Sequence, residues 1–217
     1  MVYADLMREG TSKSPYHHGD LPDVMMRLAI EHIEADGTEK LSLRALAREA
    51  GVSQSAPYRH FPTKRCLLAA LATQGFEILH DRMAAAVTSD DPIDARFIAM
   101  GVAYVEFALD HPTHYHLMFG SVLGDFSDYE MLHRASMRAF QHVTQLQHEL
   151  VVAKGLEVDE ERFAGVIWAS VHGIASLILN TSQKHDERAR PLNAIRAVRA
   201  DIEDSLRMLF NHMMDDA

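Results

Sequence analysis

A chain of 217 residues, 47% hydrophobic and 24% charged, has room for one small domain and one larger one, each with a real core. Its one cysteine, Cys66, excludes an internal disulfide and a cysteine-rich metal cluster. The net charge of −10 argues against a protein that meets nucleic acid over its whole surface.

Residues 1–15 carry Asp5, Arg8, Glu9 and Lys13 with no apolar run. They read as a flexible arm without a signal peptide, which points to the cytoplasm. Almost every later segment reads as helix, and no alternating strand pattern occurs, so the expected class is all-α with about nine helices. Residues 21–35 place Leu21, Met25, Leu28, Ala29 and Ile33 at helical spacing before Asp36-Gly37 stops them. Ser42 is a suitable N-cap for a short helix over 43–50, and Gly51 ends it. Ser53 opens a second short helix to about His60, closed by Pro62, and Thr63 caps a long one to about Ala86. Helices follow over 92–109, 112–119, 129–153, 159–181 and 191–213. A glycine-bearing loop spans 120–127 and a polar link spans 183–190. The 17 residues from Phe163 to Leu179 lack Asp, Glu, Lys and Arg. That is short of the roughly 20 that a membrane span needs, and the segment is expected to be a helix buried on nearly all sides, with no membrane partner.

The informative stretch is Leu43-Arg-Ala-Leu-Ala-Arg-Glu-Ala-Gly-Val-Ser-Gln-Ser-Ala-Pro-Tyr-Arg-His-Phe61. Two short helices joined by Gly51-Val52-Ser53 make a helix-turn-helix. Leu43, Leu46, Ala50, Val52, Ala56 and Phe61 supply apolar contacts, expected against Leu28 and Ile33. The second helix has no acid and presents Gln54, Ser55, Tyr58, Arg59 and His60 as donors to phosphates or base edges. Residues 40–65 hold six basic residues and one acid, Glu49, whereas residues 87–217 hold 11 basic and 20 acidic ones. A basic island on an acidic body suits a protein that touches phosphate at one place. The competing assignment is a solvated charged face.

The run Ala47-x3-Gly51-Val52-Ser53, followed by Tyr58-Arg59-His60-Phe61-Pro62-x-Lys64, resembles the N-terminal signature of TetR (tetracycline-repressor) family regulators. Tyr16-His17-His18-Gly19-Asp20-Leu21 is similar to the lead-in of the first helix in one branch. The resemblance implies a three-helix DNA-binding domain over 16–62, a connecting helix over 63–86 and a helical effector-binding and dimerisation domain over 87–217. It places Ser53, Gln54, Ser55 and Tyr58 at the recognition helix, Tyr58 and His60 at phosphates, and Lys64 at a phosphate held with backbone N–H groups. Ser42 takes another phosphate. Alternatives stay open: Tyr58 packing on the preceding helix, His60 as a helix-end residue, Arg44 and Arg48 solvated. Pro57 departs from the leucine common in the family.

In the second half, His111-Pro112-x2-Tyr115-x2-Met118-Phe119 and Trp168-x3-His172-Gly173 resemble the effector domain of the Trp-His-Gly branch. Phe107, His111, Tyr115, Phe119, Met137, Trp168 and His172 are nominated as pocket residues, with core packing as the competing role. A small-molecule effector is expected, with no cofactor. His111, His114 and His116 do not share a helix face and have no accompanying ligand set, so no metal is expected. No catalytic signature occurs. The apolar residues from Phe163 to Ile178, and Leu192, Ile195, Val198, Ile202, Leu206, Leu209 and Met213, predict a homodimer through the last two helices. The reading is a ligand-responsive repressor released from a near-palindromic double-stranded DNA operator. Its rivals are a helical sensor without specific DNA binding and a helical-bundle enzyme using the clustered histidines.

Overall fold

The computed structural model describes residues 21–182 and 190–215. The N-terminal arm, residues 16–20 of the lead-in motif, most of the polar link and the side chain of Leu192 lie outside the described residues. The chain divides into two compact units, one ending at Pro62 and one running from Thr63 onward.

The first unit holds α1 (Leu21–Asp36), α2 (Leu43–Glu49) and two tight 3-10 turns, Thr38–Lys40 and Ala56–Arg59. Leu21, Met25, Leu28 and Ala29 line the buried face of α1, the i, i+4, i+7, i+8 spacing of one helix stripe. Gly37 takes φ 81° and ψ 166°, a positive-φ extended conformation open to glycine that lets the chain leave α1. Leu43, Leu46 and Ala47 bury the inner face of α2. Gly51 ends α2 at φ 70°, with its N–H on the Arg48 carbonyl at 3.2 Å and the Val52 N–H on Ala47 at 3.0 Å. That pair of bonds is a Schellman cap.

The second unit holds α3 (Lys64–Ala86), α4 (Ile93–Asp110), α5 (Pro112–Phe119), α6 (Glu130–Lys154), α7 (Glu160–Ser182), α8 (Arg190–Ala200) and α9 (Ile202–Asp215). The Thr63 hydroxyl accepts from the Cys66 N–H at 3.2 Å and caps α3. Helix α4 lies at the centre, against α3, α5, α6, α7 and α9. Arg96–Glu149 at 2.8 Å and Lys154–Asp94 at 2.6 Å tie it to α6. Helices α3 and α5 approach closely at Gly75, where a Cβ would stand 2.5 Å from the Met118 sulfur and 3.0 Å from His114 Cβ.

Three expectations need correction. The final helix is broken at Asp201 into α8 and α9. The Asp201 carboxylate accepts from the Asp204 N–H at 2.9 Å, and its carbonyl accepts the Ser205 N–H and hydroxyl. Asp201 therefore acts as a new N-cap inside an otherwise periodic stretch. The consequence is a change of direction: α8 packs on α7, and α9 packs on α4 through Leu206 and Phe210.

Second, α7 is not buried on nearly all sides. Phe163, Ile167, Ala175 and Ile178 are covered, while Val166, Trp168 and Leu177 are 48%, 44% and 50% exposed. Length and composition alone would let α7 cross a membrane, but only one of its faces meets α4. Third, the second helix of the helix-turn-helix is a single turn, Ala56–Arg59, rather than a helix from Ser53. Pro57 has no N–H to give the Ser53 carbonyl, so the i to i−4 ladder does not start there.

Candidate nucleic-acid interface and ligand cavity

The turn around Pro57 is closed from both sides. The Ala56 N–H reaches the Ser53 carbonyl at 3.0 Å, and the His60 and Phe61 N–H groups share the Pro57 carbonyl at 3.0 and 2.8 Å. Pro57 and Phe61 are buried, and Ser53, Gln54, Ser55, Tyr58, Arg59 and His60 are all exposed. The hydroxyls of Ser53 and Ser55 lie 3.2 Å apart. Tyr58 is 42% exposed, so its phenol is presented to solvent. Ser42 sits at the N-cap of α2 with its hydroxyl making no cap bond, which leaves an exposed donor one residue before the helix.

The charges around this surface are sorted by their partners. Glu49, the single acid of residues 40–65, is held by His32 Nε2 at 2.7 Å on α1. Lys40 pairs with Asp36 at 2.8 Å, and hydrogen bonding to that carboxylate raises its pKa. Arg44, Arg48 and Arg59 are exposed. In the second unit Lys64 is the first residue of α3 and is partly exposed, in a first turn that carries no acid. A helix N-terminus with a lysine beside it favours an anion. The next residue, Arg65, donates from Nη2 to the Leu123 carbonyl at 2.7 Å, which ties the start of α3 to the loop after α5.

The second unit also contains a cavity of about 330 Å³. Its walls come from α3 (Phe76, Leu79, Met83), α4 (Phe97, Met100, Gly101, Tyr104), α5 (Met118, Phe119), α6 (Ser136, Met137, Ala139, Phe140, Val143) and α7 (Ile167, Trp168, Val171), with Phe126 from the loop. No Asp, Glu, Lys, Arg or His is among the described residues that line it. Of the residues nominated from the sequence, Phe119, Met137 and Trp168 form part of the wall. Phe107 is fully buried outside it, its ring tilted against that of His111 with centroids 5.5 Å apart. His111 is engaged by Arg82 at 3.1 Å, beside the Arg82–Asp110 ion pair.

Tyr115 and His172 stand behind the wall in one network. His172 Nδ1 is 3.0 Å from the Tyr104 hydroxyl and 2.8 Å from the Tyr115 hydroxyl. Tyr115 also reaches the His172 carbonyl and the Ser176 hydroxyl, each at 3.3 Å. Burial lowers the His172 pKa and raises those of both phenols, so all three groups are neutral near pH 7. The wall residues missed from the sequence had a signal: Phe97, Met100, Gly101 and Tyr104 follow i, i+3, i+4, i+7, one face of α4. His111, His114 and His116 do not converge, since His114 is buried on Gln74 and His116 is exposed. No group of three His, Cys, Asp or Glu is placed to hold a metal ion among the described residues.

Comparison with known families places both units. The family described as bacterial regulatory proteins, tetR family, matches residues 26–71, and the tetracyclin repressor-like C-terminal domain matches residues 97–198. The chain belongs to the TetR family. Its members are ligand-responsive, DNA-binding transcription regulators, and this all-α chain has both parts of that design.

A structure of a protein with unknown function from Rhodococcus sp. RHA1 is 34% identical, with a TM-score of 0.71, covering 90% of this TetR-family chain and 98% of that one. The uncharacterized HTH-type transcriptional regulator YobS of Bacillus subtilis (strain 168) is 32% identical over 87 residues, 40% of this chain. That match spans 45% of the Bacillus protein's own length. The nucleoid occlusion factor SlmA of Enterobacter sp. (strain 638) is 24% identical over 169 residues, 75% of this chain and 84% of that one.

Proposed function

We propose that this protein is a homodimeric cytoplasmic repressor, and not an enzyme, that holds a near-palindromic operator and releases it when a small molecule fills the cavity. The observation that carries the DNA side is the sorting of residues 42–61. Leu43, Leu46, Ala47, Ala50, Pro57 and Phe61 are buried, every polar member is exposed, and the one acid is paired with His32. Gln54 and Ser55 read base edges, Tyr58, His60 and Ser42 hold phosphates, and Ser53 sets the start of the turn. Lys64 adds a phosphate contact at the head of α3.

The dimer forms through α7 and α8. Helix α9 spends Leu206 and Phe210 on its own α4, whereas Val166 and Leu177 of α7 are open to solvent. Two recognition turns carried on a two-fold dimer meet half-sites about 34–36 Å apart. Release runs through Arg65. Phe119 and Phe126 belong to the cavity and flank the loop whose Leu123 carbonyl holds Arg65. A ligand that displaces those rings shifts the first turn of α3, and with it the spacing the operator requires.

The test is gel-shift titration on DNA flanking the protein's own gene, with two variants. Lys64→Ala weakens binding to all sequences and lowers the salt slope by about 1, whereas Gln54→Ala changes sequence preference. Equal loss at every site for Gln54→Ala would remove it from base reading.

A further inference from the structure

The chemistry of the cavity wall narrows the ligand beyond a small molecule. This step rests on the assignment of the cavity as the ligand site. At about 330 Å³ the cavity lies near the lower end of the 300–1,000 Å³ range of small-ligand pockets, so a compact molecule fills it. Phe76, Phe97, Phe119, Phe126, Phe140 and Trp168 supply aromatic surface, and methionines fill between them.

No cation stands on the wall among the described residues. His172 is behind Tyr104 and is kept neutral by burial. A buried carboxylate would therefore have no partner charge, at a cost of several kcal/mol.

Of the polar groups on the wall, the Ser136 hydroxyl donates to the His133 carbonyl at 2.8 Å and Trp168 is 44% exposed, whereas Tyr104 is buried. A neutral imidazole nitrogen offers one proton or one lone pair, so Nδ1 of His172 makes one strong hydrogen bond. Two hydroxyls compete for it, Tyr104 at 3.0 Å and Tyr115 at 2.8 Å. Tyr115 holds the shorter contact and stacks on the His172 ring at 5.4 Å. Tyr104 is the one of the pair that lines the cavity. Its hydroxyl can turn to a ligand oxygen while Tyr115 keeps Nδ1, so recognition adds a hydrogen bond without orphaning the histidine.

We propose that the effector is a compact, uncharged, largely apolar ring compound carrying one hydrogen-bond-accepting oxygen, and that the Tyr104 hydroxyl, poised on His172, reads that oxygen. Ketones, esters and ethers on a fused-ring skeleton belong to this class; carboxylates do not.

The chain has one tryptophan, Trp168, and it lines the cavity beside Tyr104. Its emission, excited at the red edge of the indole band, reports occupancy of the full-length protein with no DNA in the assay. The titrants are tetralin, 2-tetralone and tetralin-2-carboxylate at neutral pH. The expected order is the ketone about tenfold tighter than the hydrocarbon, with the carboxylate at least about tenfold weaker than the ketone. In Tyr104→Phe the ketone falls to the affinity of tetralin, and tetralin itself binds as in the wild type. A carboxylate that binds as tightly as the ketone, a ketone preference that survives Tyr104→Phe, or no saturable change with any of the three overturns the assignment. Binding of the ketone without operator release would leave the ligand class standing and remove the proposed switch. Operator binding with no response of Trp168 to these compounds would do the reverse.

Discussion

Acidification between pH 6.5 and 4 should destabilise this protein through His114. His114 is 5% exposed on α5, at the close crossing with α3, and its Nε2 faces the Gln74 side-chain oxygen Oε1 at 3.1 Å. Burial, with a smaller push from His111, lowers its pKa from 6.5 to about 4. The folded protein therefore keeps His114 neutral at pH values where the unfolded chain has bound a proton. Stability from this group is complete above 6.5. It falls by about 1.4 kcal/mol per pH unit as pH drops, and levels off once the folded form also titrates near 4, a total of roughly 3 kcal/mol. His111, His172 and His80 shift in the same direction, each with burial as the leading cause. The assay is urea unfolding at pH 7.5, 6.5, 5.5 and 4.5 for wild type and His114→Gln, which cannot titrate and retains an amide donor. Subtracting the two series removes the carboxylates common to both. The wild type should lose about one proton's worth of slope more than the variant. Parallel curves, or a steeper loss in the variant, would refute the assignment of His114 as a buried neutral ring.

Three further perturbations test other parts of the structure. Gly75→Ala sets a Cβ against Met118 and His114; it should cost about 1–3 kcal/mol in urea unfolding, and an unchanged midpoint would contradict the close crossing. Pro57→Leu returns the N–H missing from the Ala56–Arg59 turn; comparison of single-base operator variants should show a change in preference of about 1 kcal/mol or more at one position, and an unaltered profile would free Pro57 of any part in reading. Arg65→Met removes the bond to the Leu123 carbonyl; Trp168 titration should give unchanged ligand affinity, while the ligand's effect on operator affinity shrinks, and full retention of that effect would place the coupling elsewhere.

The sequence disclosed most clearly what local chemistry decides. Thr63 as a cap, Gly37 and Gly51 as helix ends, and the stripe of α1 are each set by residues close in sequence, and all are present. The total of nine α-helices among the described residues conceals two compensating differences. Pro57 removed one helix by withholding its N–H, and Asp201 added one by capping where periodicity alone suggested continuity. The α7 pattern was visible, but an all-apolar helix looks the same whether its second face meets its own chain or is left open, as Val166 and Leu177 are. The cavity was half legible because motif residues drew attention to α5 and α7. The opposite wall, Phe97 to Tyr104 of α4, carries only spacing, and spacing does not tell a core face from a cavity face. The network of Tyr104, Tyr115 and His172 joins residues 57 and 68 positions apart, a distance no local pattern spans.

The central claim is specific DNA binding by the exposed 42–60 surface. Its most direct test is an equilibrium anisotropy titration of the DNA flanking the protein's own gene against a scrambled duplex, at two salt concentrations. The protein should prefer the flanking DNA by about 10³-fold or more, with affinity that falls steeply with added salt. Equal affinity for both duplexes, or binding indifferent to salt, would contradict it.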